Sequence, residues 1–83
     1  MKIQVRYFAS IREALGPGES LELPAAATVA RARDALIERG GAHAAALARG
    51  RALRSALNQV LCDESAPLAD GAELAFFPPV TGG

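Results

Sequence analysis

The chain has little of what enzyme active sites and secreted scaffolds are usually built from. Its 83 residues include one cysteine, one histidine, one tyrosine and no tryptophan. The single cysteine, Cys62, excludes an intramolecular disulfide and a four-cysteine zinc site, and fits a reducing cytosol better than a disulfide-built secreted fold. No apolar run approaches the roughly 20 residues of a membrane span. The opening MKIQVRYF alternates polar and apolar residues, so it lacks the apolar block of a signal peptide. Enzyme signatures are missing as well: there is no HExxH, no GxSxG and no glycine-rich phosphate loop after a strand. GPG at 16–18 is too short for such a loop and has no lysine after it. These absences predict a cytoplasmic domain without membrane contact and with no activity alone.

Net charge is absent too, with nine basic residues against nine acidic, but the charges are segregated. Residues 31–54 carry six arginines against Asp34 and Glu38, whereas residues 55–83 carry Asp63, Glu64, Asp70 and Glu73 with no lysine or arginine. Solvated helix faces and turns account for this pattern; the alternative is an acidic surface near the C-terminus that meets a basic partner. No nucleic-acid partner is expected, because the arginine-rich stretch offers no aromatic ring for base stacking. His43 has no second ligand-type residue close in sequence, so a surface or half-buried place is expected and no metal. Cys62 closes an apolar stretch beside Asp63 and Glu64, a setting that disfavours a nucleophilic thiolate.

What is present is a clear pattern of elements. KIQVRYF, 2–8, puts Ile3, Val5 and Tyr7 on one face and Lys2, Gln4, Arg6 and Phe8 on the other, the period of a strand packed on one side. SIREALG has helical composition but is barely two turns long. GPG makes a turn, and ESLEL at 19–23 reads as a second strand stopped by Pro24. Thr28 caps a helix through VARARDALIER that Gly40-Gly41 ends, with Val29, Ala32 and Leu36 facing inward and Ile37 beside Leu36. Residues 42–49 form a second short helical piece, and SALNQVLC, 55–62, reads as one strand. LADG turns the chain into a last strand at 72–77, with Leu74 and Phe76 on one face and Glu73, Ala75 and Phe77 on the other. Pro78 and Pro79 then end all pairing, because neither can donate to a ladder.

The expectation is one α+β domain over 1–83, a sheet with one main helix across one face, and an extended tail at 78–83. Ile3, Val5, Tyr7, Leu23, Val29, Leu36, Leu74 and Phe76 should form the core. Phe8 and Phe77 land on the face away from the helix. Either loops cover these rings, or they form a partner-binding patch.

The tail carries the chemical signal. Beyond the prolines, Val80 and Thr81 are small, and Gly82 and Gly83 have no side chains. Such a segment can thread a narrow channel and deliver its α-carboxylate where any Cβ would clash. The carboxylate becomes electrophilic once activated, for example as an acyl-adenylate, from which a sulfur or nitrogen nucleophile displaces AMP. This architecture suits a carrier whose functional group is its own C-terminus.

The opening VRYFASIREALG, the central LNQ at 57–59 and LADGAELAFFPPVTGG at 68–83 together resemble the small, ubiquitin-like subunits of molybdopterin synthase, the MoaD-type sulfur carriers. The resemblance spans both ends of the chain, and FFPPVTGG is its most specific part. It implies a β-grasp fold with a mixed four- to five-stranded sheet and parallel pairing of the first and last strands at its centre. It implies that an ATP-dependent activating enzyme adenylates Gly83, that a thiocarboxylate forms there, and that sulfur passes to precursor Z (cyclic pyranopterin monophosphate) in the large synthase subunit. By position, Gly82 and Gly83 match the reactive diglycine, and Phe8, Leu61 and Phe77 match apolar contact positions. Pro78, Pro79, Val80 and Thr81 would enter the partner with the tail. The implied assembly is a heterotetramer of two small and two large subunits, with no cofactor bound here and ATP used by the activating enzyme. A carrier for thiamine or tRNA thiolation and a non-catalytic ubiquitin-like binding module are the alternatives.

Overall fold

A computed structural model describes residues 1–79. In chain order the elements are β1 (Lys2–Tyr7), α1 (Ala9–Leu15), β2 (Gly18–Glu22), α2 (Val29–Ile37), α3 (Gly41–Leu47), β3 (Arg54–Leu57), β4 (Val60–Cys62) and β5 (Glu73–Phe77). The strands form a single sheet of order β2-β1-β5-β3-β4. β1 and β5 run parallel, with Val5 opposite Leu74 and Tyr7 opposite Phe76, and every other pairing is antiparallel. This is the mixed β-grasp sheet that the family resemblance implied, with the chain's first and last strands side by side.

Alternation along β1 explains the layering. Ile3, Val5 and Tyr7 are buried, and Leu74 and Phe76 on β5 face the same way into one cluster. α2 closes over them: the Thr28 hydroxyl accepts from the Arg31 N–H at its start, and Val29, Ala32 and Leu36 are fully buried. All eight predicted core residues are buried. α1 and α3 add Ile11, Ala46 and Leu47 to the cluster, so three helices cover this face where the sequence pattern emphasised one.

Two expectations are corrected. Residues 55–62 are not one strand but a hairpin, β3 and β4, joined by Asn58 and Gln59 at φ 50° and 70°. Two consecutive positive-φ residues are what a two-residue hairpin turn of type I′ demands, and its twist matches that of the flanking strands. Gln59 stands where glycine usually does, which hid the turn. The Asn58 N–H donates to the Glu73 carbonyl at 2.8 Å, and its side-chain oxygen accepts the Glu73 N–H at 3.0 Å, clamping the hairpin to β5. Second, GPG is not wholly a turn, because Gly18 already lies in β2 opposite Arg6. A Cβ there would stand 2.3 Å from the Val5 carbonyl oxygen, so only glycine lets β2 close on β1.

Of the six arginines in the middle of the chain, Arg33 is buried, and Arg39 and Arg49 are exposed but ion-paired. Arg33, only 4% exposed, donates to the carbonyls of Leu47, Ala48 and Arg51 and to Glu64 Oε2 at 2.7 Å. It thereby caps backbone acceptors at and beyond the end of α3, where a helix leaves carbonyls short of partners. Arg49 pairs with Asp34 and Glu64. Burial would raise the Glu64 carboxyl, but the hydrogen bonds from Arg49 and Arg33 outweigh it and hold the group below its ordinary value. Glu73 pairs with Arg6, and Asp70 accepts the Lys2 N–H. The C-terminal acids thus serve internal contacts in large part, rather than forming a free acidic surface.

Candidate functional site

The helices cover one face of the sheet and leave the other open. That face is assembled from the residues which alternation turns outward: Arg6 on β1, Glu73, Ala75 and Phe77 on β5, Arg54 and Ala56 on β3, and Leu61 on β4. Phe8 continues the row. Its backbone is extended (φ −131°, ψ 158°) and its N–H still donates to the Phe76 carbonyl at 3.2 Å, before Ala9, at φ 53°, turns the chain into α1. The Phe8 ring therefore stays on the open side, 41% exposed.

Register then decides the shape of this surface. Arg6, Ala75, Ala56 and Leu61 lie side by side across four strands, so the two smallest side chains sit together between larger ones. The result is a hollow of about 490 Å³, floored by Ala56 and Ala75 and walled by Phe8 and Phe77, with Gln59 and the Arg6–Glu73 pair (3.3 Å) at its rim. Among the described residues, no helix or strand lies over the two rings; Phe8 is exposed and Phe77 half-buried.

Phe8 and Phe77 line one hollow, whereas Leu61 is 60% exposed on the edge strand and borders a neighbouring depression with Arg54 and Cys62. Pro78 and Pro79 follow β5 half-buried and outside any strand. Val80, Thr81, Gly82 and Gly83 lie outside the described residues. The sequence reading missed Ala56, Ala75 and Gln59 as parts of the site. The alternation of β5 did place Ala75 between Glu73 and Phe77, but nothing local put Ala56 opposite it.

Elsewhere, several titratable groups have structural partners. His43 is half-buried with Nε2 2.7 Å from Glu19 Oε2, and the buried Tyr7 hydroxyl donates to the same oxygen at 2.7 Å. Arg39 pairs with the other oxygen of Glu19. Burial would raise the Glu19 carboxyl, yet hydrogen bonds from Tyr7, His43 and Arg39 hold it below its ordinary value. Burial and the Glu19 carboxylate push the Tyr7 phenol far above its ordinary value, so it remains a donor. Cys62 is half-buried with Sγ 3.7 Å from Ser55 Oγ. Among the described residues, no group of three or more His, Cys, Asp or Glu side chains could hold a metal ion, and no helix is long and apolar enough to cross a membrane.

Comparison with known proteins agrees with this geometry. The ThiS family model matches residues 5–83. The chain is 41% identical over 81 residues to the molybdopterin synthase sulfur carrier subunit of Escherichia coli (strain K12), covering 98% of this chain and 99% of that one. It is 38% identical to the subunit of the same name from Haemophilus influenzae, with the same coverage. Among solved structures, SAMP1 from Haloferax volcanii superposes with a TM-score of 0.81 at 29% identity over the whole of both chains. A complex of subunits 1 and 2 of molybdopterin-converting factor from Helicobacter pylori 26695 contains a chain that matches at 0.69 and 28% identity, again over the whole of both chains.

Proposed function

The chain belongs to the ThiS family, and from that premise we propose that it is the sulfur-carrier subunit of a molybdopterin synthase. The observation that carries this reading is one of placement. β5 runs along the exposed aromatic hollow and ends at Phe77, so Pro78 and Pro79, which lead to the diglycine, follow directly from a wall of a docking surface. The near full-length likeness to two molybdopterin synthase sulfur carrier subunits supports it.

The chemistry follows from the terminus. A carboxylate resists nucleophiles because its charge is delocalised. An ATP-dependent activating enzyme removes that resistance: a Gly83 carboxylate oxygen attacks the α-phosphorus of ATP, pyrophosphate leaves, and an acyl-adenylate remains. Hydrosulfide then forms the new C–S bond as the C–O bond to AMP breaks, and loss of the S–H proton leaves a thiocarboxylate. Docked on the large subunit, the tail carries this sulfur to precursor Z, and two such transfers build the dithiolene of molybdopterin. Gly82 and Gly83 act by lacking side chains, and Pro78 and Pro79 stiffen the root of the tail so that little entropy is lost on insertion. Phe8, Leu61 and Phe77 anchor the complex, and Val80 and Thr81 enter with the tail. This chain contributes no catalytic side chain and binds no cofactor, ATP being used by the activating enzyme. The assembly is a heterotetramer with two copies of each subunit, working in the cytoplasm.

The likeness to SAMP1, a small archaeal modifier protein, favours a second reading, in which this chain serves as a modifier rather than as a sulfur donor to precursor Z. One experiment separates the two. The protein is incubated with ATP, an activating enzyme and a sulfur source, and its intact mass is then followed with and without the large subunit and precursor Z. The carrier reading expects a gain of about 16 Da as sulfur replaces oxygen, lost again as molybdopterin forms. A mass that never changes, or a gain that persists beside large subunit and precursor, overturns it.

A further inference from the structure

The sheet's open face is not uniformly apolar. Where a flat patch would present a continuous surface, the register of three strands sets Ala56 opposite Ala75 and leaves a depression between Phe8 and Phe77. Among the described residues, the charges at its rim are Arg6 and Glu73, which pair with each other at 3.3 Å, so the rim carries no net charge. A charged side chain entering there would lose its hydration and gain no partner of opposite sign, whereas an apolar one would be buried against alanine methyls and two aromatic rings.

The position of the hollow says who supplies that side chain. Phe77 walls it and is followed by Pro78 and Pro79, beyond which four residues remain to the C-terminus. Four extended residues span at most about 14 Å. A protein that engages the Gly83 carboxylate in a closed site must therefore bring its body to within that distance of Pro79, next to the hollow.

We propose that Ala56 and Ala75 are specificity-determining residues, which hold open a socket between Phe8 and Phe77 for an uncharged apolar side chain of the large synthase subunit. This rests on the sulfur-carrier reading above and adds to it a lock that depends on what is small rather than on what is large. Phe8 and Phe77 supply the walls, and substituting them removes contact area. Enlarging either alanine fills the socket and forces the two surfaces apart, a loss of fit with no loss of apolar area.

The test exploits that asymmetry. Ala75→Leu and Ala56→Ile are each compared with the unaltered chain and with Ala75→Ser, using thermal melts and titration calorimetry against purified molybdopterin synthase large subunit. Both positions are half-buried on an open face, and Leu or Ile fits a strand at least as well as Ala, so the melts should stay close to that of the unaltered chain. The two larger variants should bind about tenfold more weakly or worse, while Ala75→Ser, which keeps the socket, stays close to the unaltered affinity. Two independent strands are used so that a folding defect in one variant leaves the other to decide. If the unaltered chain binds and the folded Leu and Ile variants bind equally well, the socket is refuted and the carrier reading stands. If the unaltered chain neither binds the large subunit nor acquires sulfur, both fall together.

Discussion

Along β1 the residues facing the helices, Ile3, Val5 and Tyr7, are at most 1% exposed, whereas Phe8, the next in the chain, keeps 41% of its surface in water. The same comparison holds along β5 between Leu74 and Phe76 on one side and Ala75 and Phe77 on the other. One face of the sheet is thus finished by the chain itself, with three helices and a closed cluster. The other is left unfinished, with rings, a hollow and a balanced ion pair. Two faces drawn from alternate residues of the same strands can be assigned different tasks, stability and recognition, without competing for positions. That separation makes the comparison breakable by experiment.

The largest effect is expected beyond both faces, at the terminus. Deleting Gly83, or adding one residue after it, should abolish molybdopterin formation while the melting temperature hardly moves. Among the described residues the buried cluster runs from Ile3 to Phe76, but one residue shifts the reacting carbon by up to about 3.5 Å, and a misplacement of about 1 Å can already cost a hundredfold in rate. The assay is product formation from chemically thiocarboxylated variants and large subunit, beside melts of each. Normal product from either variant would remove the carrier reading.

On the covered face, Leu36→Ala should destabilise the domain by about 2–5 kcal/mol, a large part of the total for a chain this small. Denaturant titration measures it, and a loss under about 1 kcal/mol would mean that the site is not close-packed. On the open face, Phe77→Ala should do the reverse, weakening large-subunit binding by about 2 kcal/mol while changing stability less. Phe8→Ala should act in the same direction. If Phe77→Ala lowers stability as much as Leu36→Ala does, the two faces do not divide the work as described.

The smallest effect sharpens the covered side at its polar edge. Glu19, held by Tyr7, His43 and Arg39, has its carboxyl depressed in the folded protein. A depressed carboxyl contributes stability above its unfolded value and loses it as pH falls through the folded one. The melting temperature should therefore fall as pH drops below the ordinary value of 4.5, and Glu19→Gln should fall less steeply there while melting lower at neutral pH. Parallel curves for the two proteins would show that the cluster adds no pH-dependent stability.

Much of this was legible in the chain because it depends on neighbours in sequence. A period of two in residues 2–8 and 72–77 is enough to divide each strand between a buried and an open side, since successive side chains of a strand point oppositely. Thr28 before VARARDALI marks a helix start for an equally local reason. The hairpin at Asn58-Gln59 was missed because Gln59 is an uncommon choice for a positive φ, and apolar residues on both sides of the turn read as one run. Arg33 was not read as an inward residue, because an arginine on a helix is ordinarily a surface group. It is buried only because carbonyls from residues 47, 48 and 51, and Glu64 beyond them, converge on it.

By itself, then, the sequence determined the covered core, the two-sidedness of the sheet and the bare diglycine end, each a property of short stretches with their own periodicity or composition. Only the tertiary structure decided which strands lie together, with β1 beside β5 from the far end of the chain and Ala56 opposite Ala75. The hollow exists because of that pairing. Alternation fixes which face each strand buries, but which residue of a distant strand lies opposite is settled only when the core closes.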